Sequence, residues 1–261
     1  MTYRLGKKPA RPEALTLALR DYLDLSTLTV PTGDFGHHNL ITDWGMMCND
    51  QIGCCAIAGP QHSDMLWTAE AGTMTAFSDQ STIANYAAIT GYDPAQTQPD
   101  RSNPTDQGTD VADMVQYWTN TGMIDAQGNR HKIGGYVALT PGNLTELWTA
   151  LYYFDGIGIG VQFPGQWMDA FHAGQPWDAV AQPNPQGGHY ICGVGRQGGN
   201  AVVISWGKPV QLTPAGYQQF CDETVAYISI DKLRNGIDLE GLNWQQLAAD
   251  IQQLNTGGQV Q

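Results

Sequence analysis

Two short stretches hold the residues whose types and spacing could do chemistry. The first, Asn49-Asp50-Gln51-Ile52-Gly53-Cys54-Cys55-Ala56-Ile57-Ala58, sets a thiol where a loop becomes a helix. Unpaired amide donors and the dipole at a helix start favour a thiolate. An amide a few residues upstream, from Asn49 or Gln51, can donate to the oxyanion that forms when a thiolate attacks a carbonyl. The second stretch, Gly187-Gly188-His189-Tyr190-Ile191-Cys192-Gly193-Val194-Gly195, opens an apolar strand with a histidine. His189 follows Cys55 by 134 residues. A thiol on a helix facing an imidazole on a strand makes a thiolate–imidazolium pair across a cleft. A lone cysteine at a helix start is more often a buried small apolar residue, so the histidine stretch decides the reading.

The elements that must position these groups follow from apolar spacing and turn residues. Residues 1–50 read as mostly irregular, with helical spacing only over Pro12–Leu23. A helix is expected from about Cys54 to Ala71, bent early by Pro60, and another over Ser81–Thr90. A third begins at Thr109 or Asp110 and stops at Gly122. Beyond it strands dominate: His131–Leu139, Gly156–Phe163, His189–Gly195, Ala201–Trp206 and Val225–Ile230. Helices are expected after Thr140-Pro141 or Asn143, after Thr213-Pro214, and over Trp244–Leu254 before a frayed tail at Thr256–Gln261. A helical first half and a strand-rich second half imply an α+β protein of two lobes. The division is 1–125 for an arm and helical lobe, 126–235 for a β-rich lobe with the histidine, and 236–261 for a terminal helix and tail.

At these residues the chain resembles the papain-like cysteine peptidases. Cys55 matches their nucleophile, His189 their base, and Asn49, six residues before Cys55, the position of their oxyanion glutamine. Ser205-Trp206-Gly207 match the end of their third motif. The segment Trp44–Cys55, with Gly108–Leu139 and Glu223, also looks similar to uncharacterised papain-like proteins of phages and prophages. The resemblance implies a two-lobe fold with the site in the cleft, and amide hydrolysis through a Cys–His pair. It also implies that Trp206 shields the histidine from water. Three departures stand out: asparagine replaces the usual glutamine at 49, Cys54 adjoins the nucleophile, and Ile204 holds the usual triad asparagine position. Strand alternation expects Ile204 and Trp206 to share a face, with Ser205 on the other. His189 then lacks a side-chain acceptor from this strand unless Ser205 is brought round. The alternative to a hydrolase is a catalytically weak papain-like scaffold serving as a phage particle or host-interaction component.

Composition narrows the partners. Hydrophobic residues make up 42% of 261, ample for a core, and charged residues only 14%. The net charge of −13 disfavours nucleic acid and anionic membranes, leaving a peptide or protein as the expected partner. Charge is unevenly placed, since residues 1–20 carry +4 and the remainder −17. Such a basic arm could dock on phage particle components or simply be solvated. The start lacks the apolar stretch of a signal peptide, so the expected place is the cytoplasm, a host cytoplasm or a phage particle. Five cysteines, two of them adjacent, form no disulfide framework. No cofactor or metal is expected. Cys48, Cys54, Cys55 and His62 match no common zinc spacing, and Asp106 and Asp110 lack a calcium-loop pattern. The glycines of Gly156–Gly160 follow a helix and so form no dinucleotide loop. His37-His38 reads as a solvated turn, His62 as an interior histidine, and His131 as a turn entering a strand.

Overall fold

In the computed structural model, residues 3–15, 17–21, 23–230 and 232 are described, with Gln245 and Ala249. Of the expected helix Trp244–Leu254 only Gln245 and Ala249, both helical, are described, and the tail lies outside the described residues. The order is α1 (Cys55–Glu70), α2 (Asp79–Thr90), α3 (Val111–Asn120), β1 (Met123–Ile124), β2 (Arg130–His131), β3 (Ile133–Leu139), α4 (Leu144–Tyr153), β4 (Ile157–Pro164), α5 (Gln166–Ala173), β5 (Pro185–Gln197), β6 (Asn200–Ser205), β7 (Lys208–Leu212), α6 (Pro214–Phe220) and β8 (Cys221–Ser229). The mixture of helices and antiparallel strands is the expected α+β class.

Local chemistry explains the helix starts. The side chains of Ser78, Asp110, Asn143 and Thr213 accept backbone N–H groups of the turns they open. α1 runs on through Pro60, which stands in its second turn, where one missing N–H leaves the helix continuous. Nearly every residue of α1 is buried, as befits a helix enclosed by the molecule rather than lying on its surface. The helical spacing at Pro12–Leu23 does not become an α-helix. Single 3₁₀ turns form at Pro12–Ala14 and Leu19–Asp21, while Ala18 pairs with Ala138 of β3. The apolar side chains there serve an edge contact with the sheet, which a helix would not allow.

Six strands form one antiparallel sheet in the order β3-β8-β4-β5-β6-β7. Its two faces bury different cores. Ile157, Ile159, Val161, Ile191, Val203 and Ile228 join Phe163, Trp167 and Trp177 on one side. Tyr190, Val225 and Tyr227 pack with Cys55, Ile57 and Trp118 on the other, where Cys192 and Ile204 also meet Met65 and Leu66 of α1. α1 is thus pressed on the sheet between the helical half and the strand half. The N-terminal fifty residues do not stay with the helices. Leu19 enters the β-side core and Leu15 the helical one.

Candidate active site

β5 is longer than its neighbour β6, and the difference creates the site. β6 pairs with β5 only from Cys192 onward, so the edge of β5 at Gly188–Ile191 is free of it. That open edge faces the start of α1. Cys55 is the first residue of the helix, and the N–H of Tyr190, the residue after His189, points at its sulfur. Cys54, the neighbour, turns elsewhere, its thiol donating to the Met47 carbonyl at 3.3 Å. Two successive residues at a helix start diverge by about 100°, so only one thiol can face β5.

His189 is held by contacts on one side of the ring. Its Nε2 lies 2.8 Å from Ser205 Oγ, and Trp206 stacks on the imidazole with centroids 4.4 Å apart and planes at 18°. Phe163 meets the ring edge-on at 5.6 Å. Among the described residues Nδ1 has no hydrogen-bond partner. In the tautomer whose Nε2–H donates to Ser205, Nδ1 is the nitrogen left to accept a thiol proton.

The Ser205 contact overturns the expected loss of a side-chain acceptor. Alternation does hold through the strand. Cys192 pairs with Ile204, and both face α1, so Ser205 and His189 lie towards the opposite face. β6 then ends, and Trp206 adopts a positive φ of 47°. That left-handed residue breaks the alternation and swings the indole to the side of Ser205 and His189. The expectation failed because it ran the strand one residue too far.

The oxyanion candidates part company. Asn49 is buried, and its amide donates to the Ile52 carbonyl at 3.3 Å, inside its own loop. Gln51 is exposed on that loop and takes part in no described hydrogen bond to the site. In the first turn of α1 the Ile57 and Ala58 N–H groups bond to Cys54 O, which leaves those of Cys55 and Ala56 as the helix donors beside the thiol. One residue that fixes this loop carries no local signal in the sequence. Asp106 accepts the Gly53 N–H with both carboxylate oxygens at 3.1 Å and the Tyr86 hydroxyl at 2.6 Å, while Tyr86 in turn accepts the Gly108 N–H. Its partners lie 20 and 53 residues away.

The arm closes the site. Residues Arg4–Lys8 run extended between the lobes. The Arg4 N–H donates to Asn49 O, Lys7 N–H to Gly188 O, Lys8 N–H to Thr109 O, and Thr109 N–H returns to Gly6 O. Trp206 donates its indole N–H to Arg4 O, and Tyr3 packs on the same indole. Gly6 passes directly over the turn before Cys55: a Cβ there would stand 1.9 Å from the Gly53 oxygen, so no other residue fits. The Gly6 N–H points at the Cys55 sulfur. Cys55 and His189 are 1% and 0% exposed.

Burial sets the charges. Loss of water pushes the Cys55 thiol up to about 11, against the opposing pull of the N–H groups of Tyr190, Gly6 and Ala56 and the charge of Lys7. It drives His189 down to about 3. Where a thiolate and an imidazolium are expected, burial leaves a neutral Cys55 thiol and a neutral His189 imidazole. Desolvation outweighs the helix dipole.

The remaining histidines sort by their partners. His62 is interior, its Nε2 donating to Trp44 O at 3.0 Å. His131 reaches Asp125 at 3.0 Å. His37 is not the solvated turn expected of it. Its Nδ1 lies 3.3 Å from Glu70 and 3.4 Å from Asp155, and these carboxylates raise its pKa to about 10. His37, Glu70 and Asp155 have the spacing of metal ligands, but Lys232 already pairs with both carboxylates and supplies their countercharge. Cys54 and His62, imagined as zinc ligands, bond to two different carbonyls.

No protein-family model matches this sequence, and no curated protein matches it. Solved structures do match the fold. Xylellain, a cysteine protease from Xylella fastidiosa, aligns with a TM-score of 0.60 at 10% identity over 88% of this chain and 97% of its own. Procathepsin B S9 from Trypanosoma congolense gives 0.54 at 10% identity over 86% of each chain. Digestive procathepsin L 3 from the larval midgut of Tenebrio molitor gives 0.52 at 12% identity over 87% and 75%. At these identities the likeness is one of fold.

Proposed function

From a papain-like fold with this site, we propose that the protein is a cysteine hydrolase that cleaves amide bonds in extended peptides. The observation that carries the reading is the environment of His189: Nε2 on Ser205, Trp206 stacked over the ring, and Nδ1 unpartnered beside the strand edge whose Tyr190 N–H points at Cys55. Extended peptide is favoured because the arm shows how one lies there, adding to the free edge of β5 by main-chain hydrogen bonds.

When a peptide replaces the arm, His189 Nδ1 takes the thiol proton and the Cys55 sulfur bonds to the carbonyl carbon. The carbonyl oxygen becomes an anion met by the N–H groups of Cys55 and Ala56 at the start of α1, while the Asn49 amide is held by Ile52 O in the preceding loop. His189 returns the proton to the leaving amine as the C–N bond breaks, and an acyl-cysteine remains. His189 next deprotonates water, which attacks the acyl carbon and frees the acid and the thiol. Ser205 orients the ring throughout and touches no substrate.

The test is covalent labelling. The full-length chain is incubated with a peptidyl acyloxymethyl ketone and mapped by mass spectrometry. One adduct on Cys55 is expected, lost in Cys55→Ser and strongly slowed in His189→Ala. An adduct on Cys48, Cys54, Cys192 or Cys221 instead, or equal labelling in the His189 variant, overturns the mechanism. The scaffold reading draws support from the sealed, neutral pair, and it predicts no peptide turnover under any condition that frees the cleft.

A further inference from the structure

We propose that the pocket filled by Lys7 is a specificity pocket for the lysine or arginine side chain of a peptide entering the cleft, with the arm as its present occupant. The inference rests on the hydrolase reading only for what happens to the peptide once bound.

The pocket lies in the wall of the sheet, beside the β5 edge. The Lys7 main chain is bonded there to Gly188 O, as any extended ligand would be. Its side chain turns into the sheet and is fully buried. Nζ stands 2.9 Å from Asp222 and 3.0 Å from Glu223, and it also donates to Lys8 O at 3.0 Å. Two glycines clear the path. A Cβ on Gly160 would lie 2.3 Å from Lys7 Cε, and one on Gly188 would lie 2.3 Å from Lys7 O. The backbone of β4 and β5 is thus shaped to admit a long side chain at this point.

Charge says which side chain. Glu223 is 6% exposed and shares the pocket with Asp222, so two carboxylates meet one ammonium. An apolar occupant would leave buried Glu223 without this cation, with Asp222 held by the Gln162 amide, and an acidic one would set a further carboxyl beside both; each is unfavourable in a buried site. The ammonium stays charged there, because the carboxylates more than offset the cost of its burial. The arm holding this lysine is the basic end of an otherwise strongly acidic chain. Its fit by charge and by main-chain pairing is that of a substrate-like strand.

The experiment measures binding first. Full-length protein carrying Lys7→Ala is titrated by fluorescence anisotropy with labelled Tyr-Arg-Leu-Gly-Lys-Lys-Pro, the sequence of residues 3–9. Companion peptides carry Arg, Leu or Glu in place of the first lysine of the Lys-Lys pair. Lys and Arg peptides should bind on the order of tenfold more tightly than Leu, with Glu weakest, and adding Glu223→Gln should remove most of that preference. Equal binding of the Leu peptide, or a preference indifferent to Glu223→Gln, overturns the pocket. If Lys7→Ala does not fold, Lys7→Met keeps the stem and is read the same way. Mass spectrometry of the same mixtures separates the two readings. Basic preference without cleavage counts against the hydrolase and leaves the pocket standing, whereas cleavage without basic preference counts against the pocket alone.

Discussion

Ser205 and Ile204 show how one residue of register changes the chemistry assigned to a strand. Ile204 matches the position where related motifs carry asparagine, yet it packs among Trp44, Met65, Leu66 and Cys192 on the α1 side. Ile204→Asn should therefore destabilise the fold by about 2–4 kcal/mol, through a buried amide and lost packing, without raising activity. Denaturant unfolding beside a peptide-turnover assay checks both halves. Ser205→Ala should slow acylation of Cys55 by about tenfold, the worth of one orienting hydrogen bond, with the fold unchanged. A matching downward shift in the pH profile of labelling would mark Ser205 as a positioning residue, because a purely structural role would not move that profile.

At the scale of elements, the site depends on two loops and a strap meeting the start of α1. Asp106 clamps the loop before Cys55 from a loop about 50 residues further on. Asp106→Ala would orphan the Gly53 N–H and the Tyr86 hydroxyl, and should cost about 2–3 kcal/mol in denaturant unfolding, partly restored by Asp106→Asn. The strap is testable at its tightest point. Gly6→Ala would set a methyl 1.9 Å from the Gly53 oxygen, and the arm must lift to relieve the clash. Iodoacetamide labelling of Cys55 should accelerate on the order of tenfold or more, with the global unfolding midpoint little changed. Unaltered labelling would mean that the arm does not limit access.

For the whole molecule, three histidines shape stability against acid and base. His189 and His62 are driven by burial to about 3 and about 4. The unfolded chain binds protons at these residues below about pH 6.5 while the folded chain does not, so stability falls as the pH drops from there towards 4. His37 acts in the opposite sense. Its folded pKa of about 10 comes first from Asp155 and then from Glu70, so its stabilisation is fully present below about pH 6.5 and lost as the pH rises through 10. Melting temperatures from pH 4 to 10 should trace a dome. In His37→Gln the alkaline limb should flatten while the acid limb stays.

Much of the fold was written locally. Ser78, Asp110, Asn143 and Thr213 announce helix starts because a side-chain oxygen beside an unpaired N–H needs no distant partner. The β4, β5 and β6 runs announce strands by their apolar residues, and the Gly-x-Cys and Gly-His stretches mark Cys55, at the start of α1, and His189, on β5. The eight-residue helix α5 was not read, since it opens at Gly165 without a capping side chain and is too short for a helical period to stand out. Other decisions belong to tertiary structure. Sequence spacing put the charged end of the arm in solvent or on a partner, but the fold lays it in the cleft and closes Lys7 onto Asp222, 215 residues away. The same closure reverses the charge state expected of Cys55 and His189, because the free energy of an ion in a protein depends on how much water the whole chain leaves around it. A sequence names the groups and their local geometry; only the packed chain determines which of them still touch solvent.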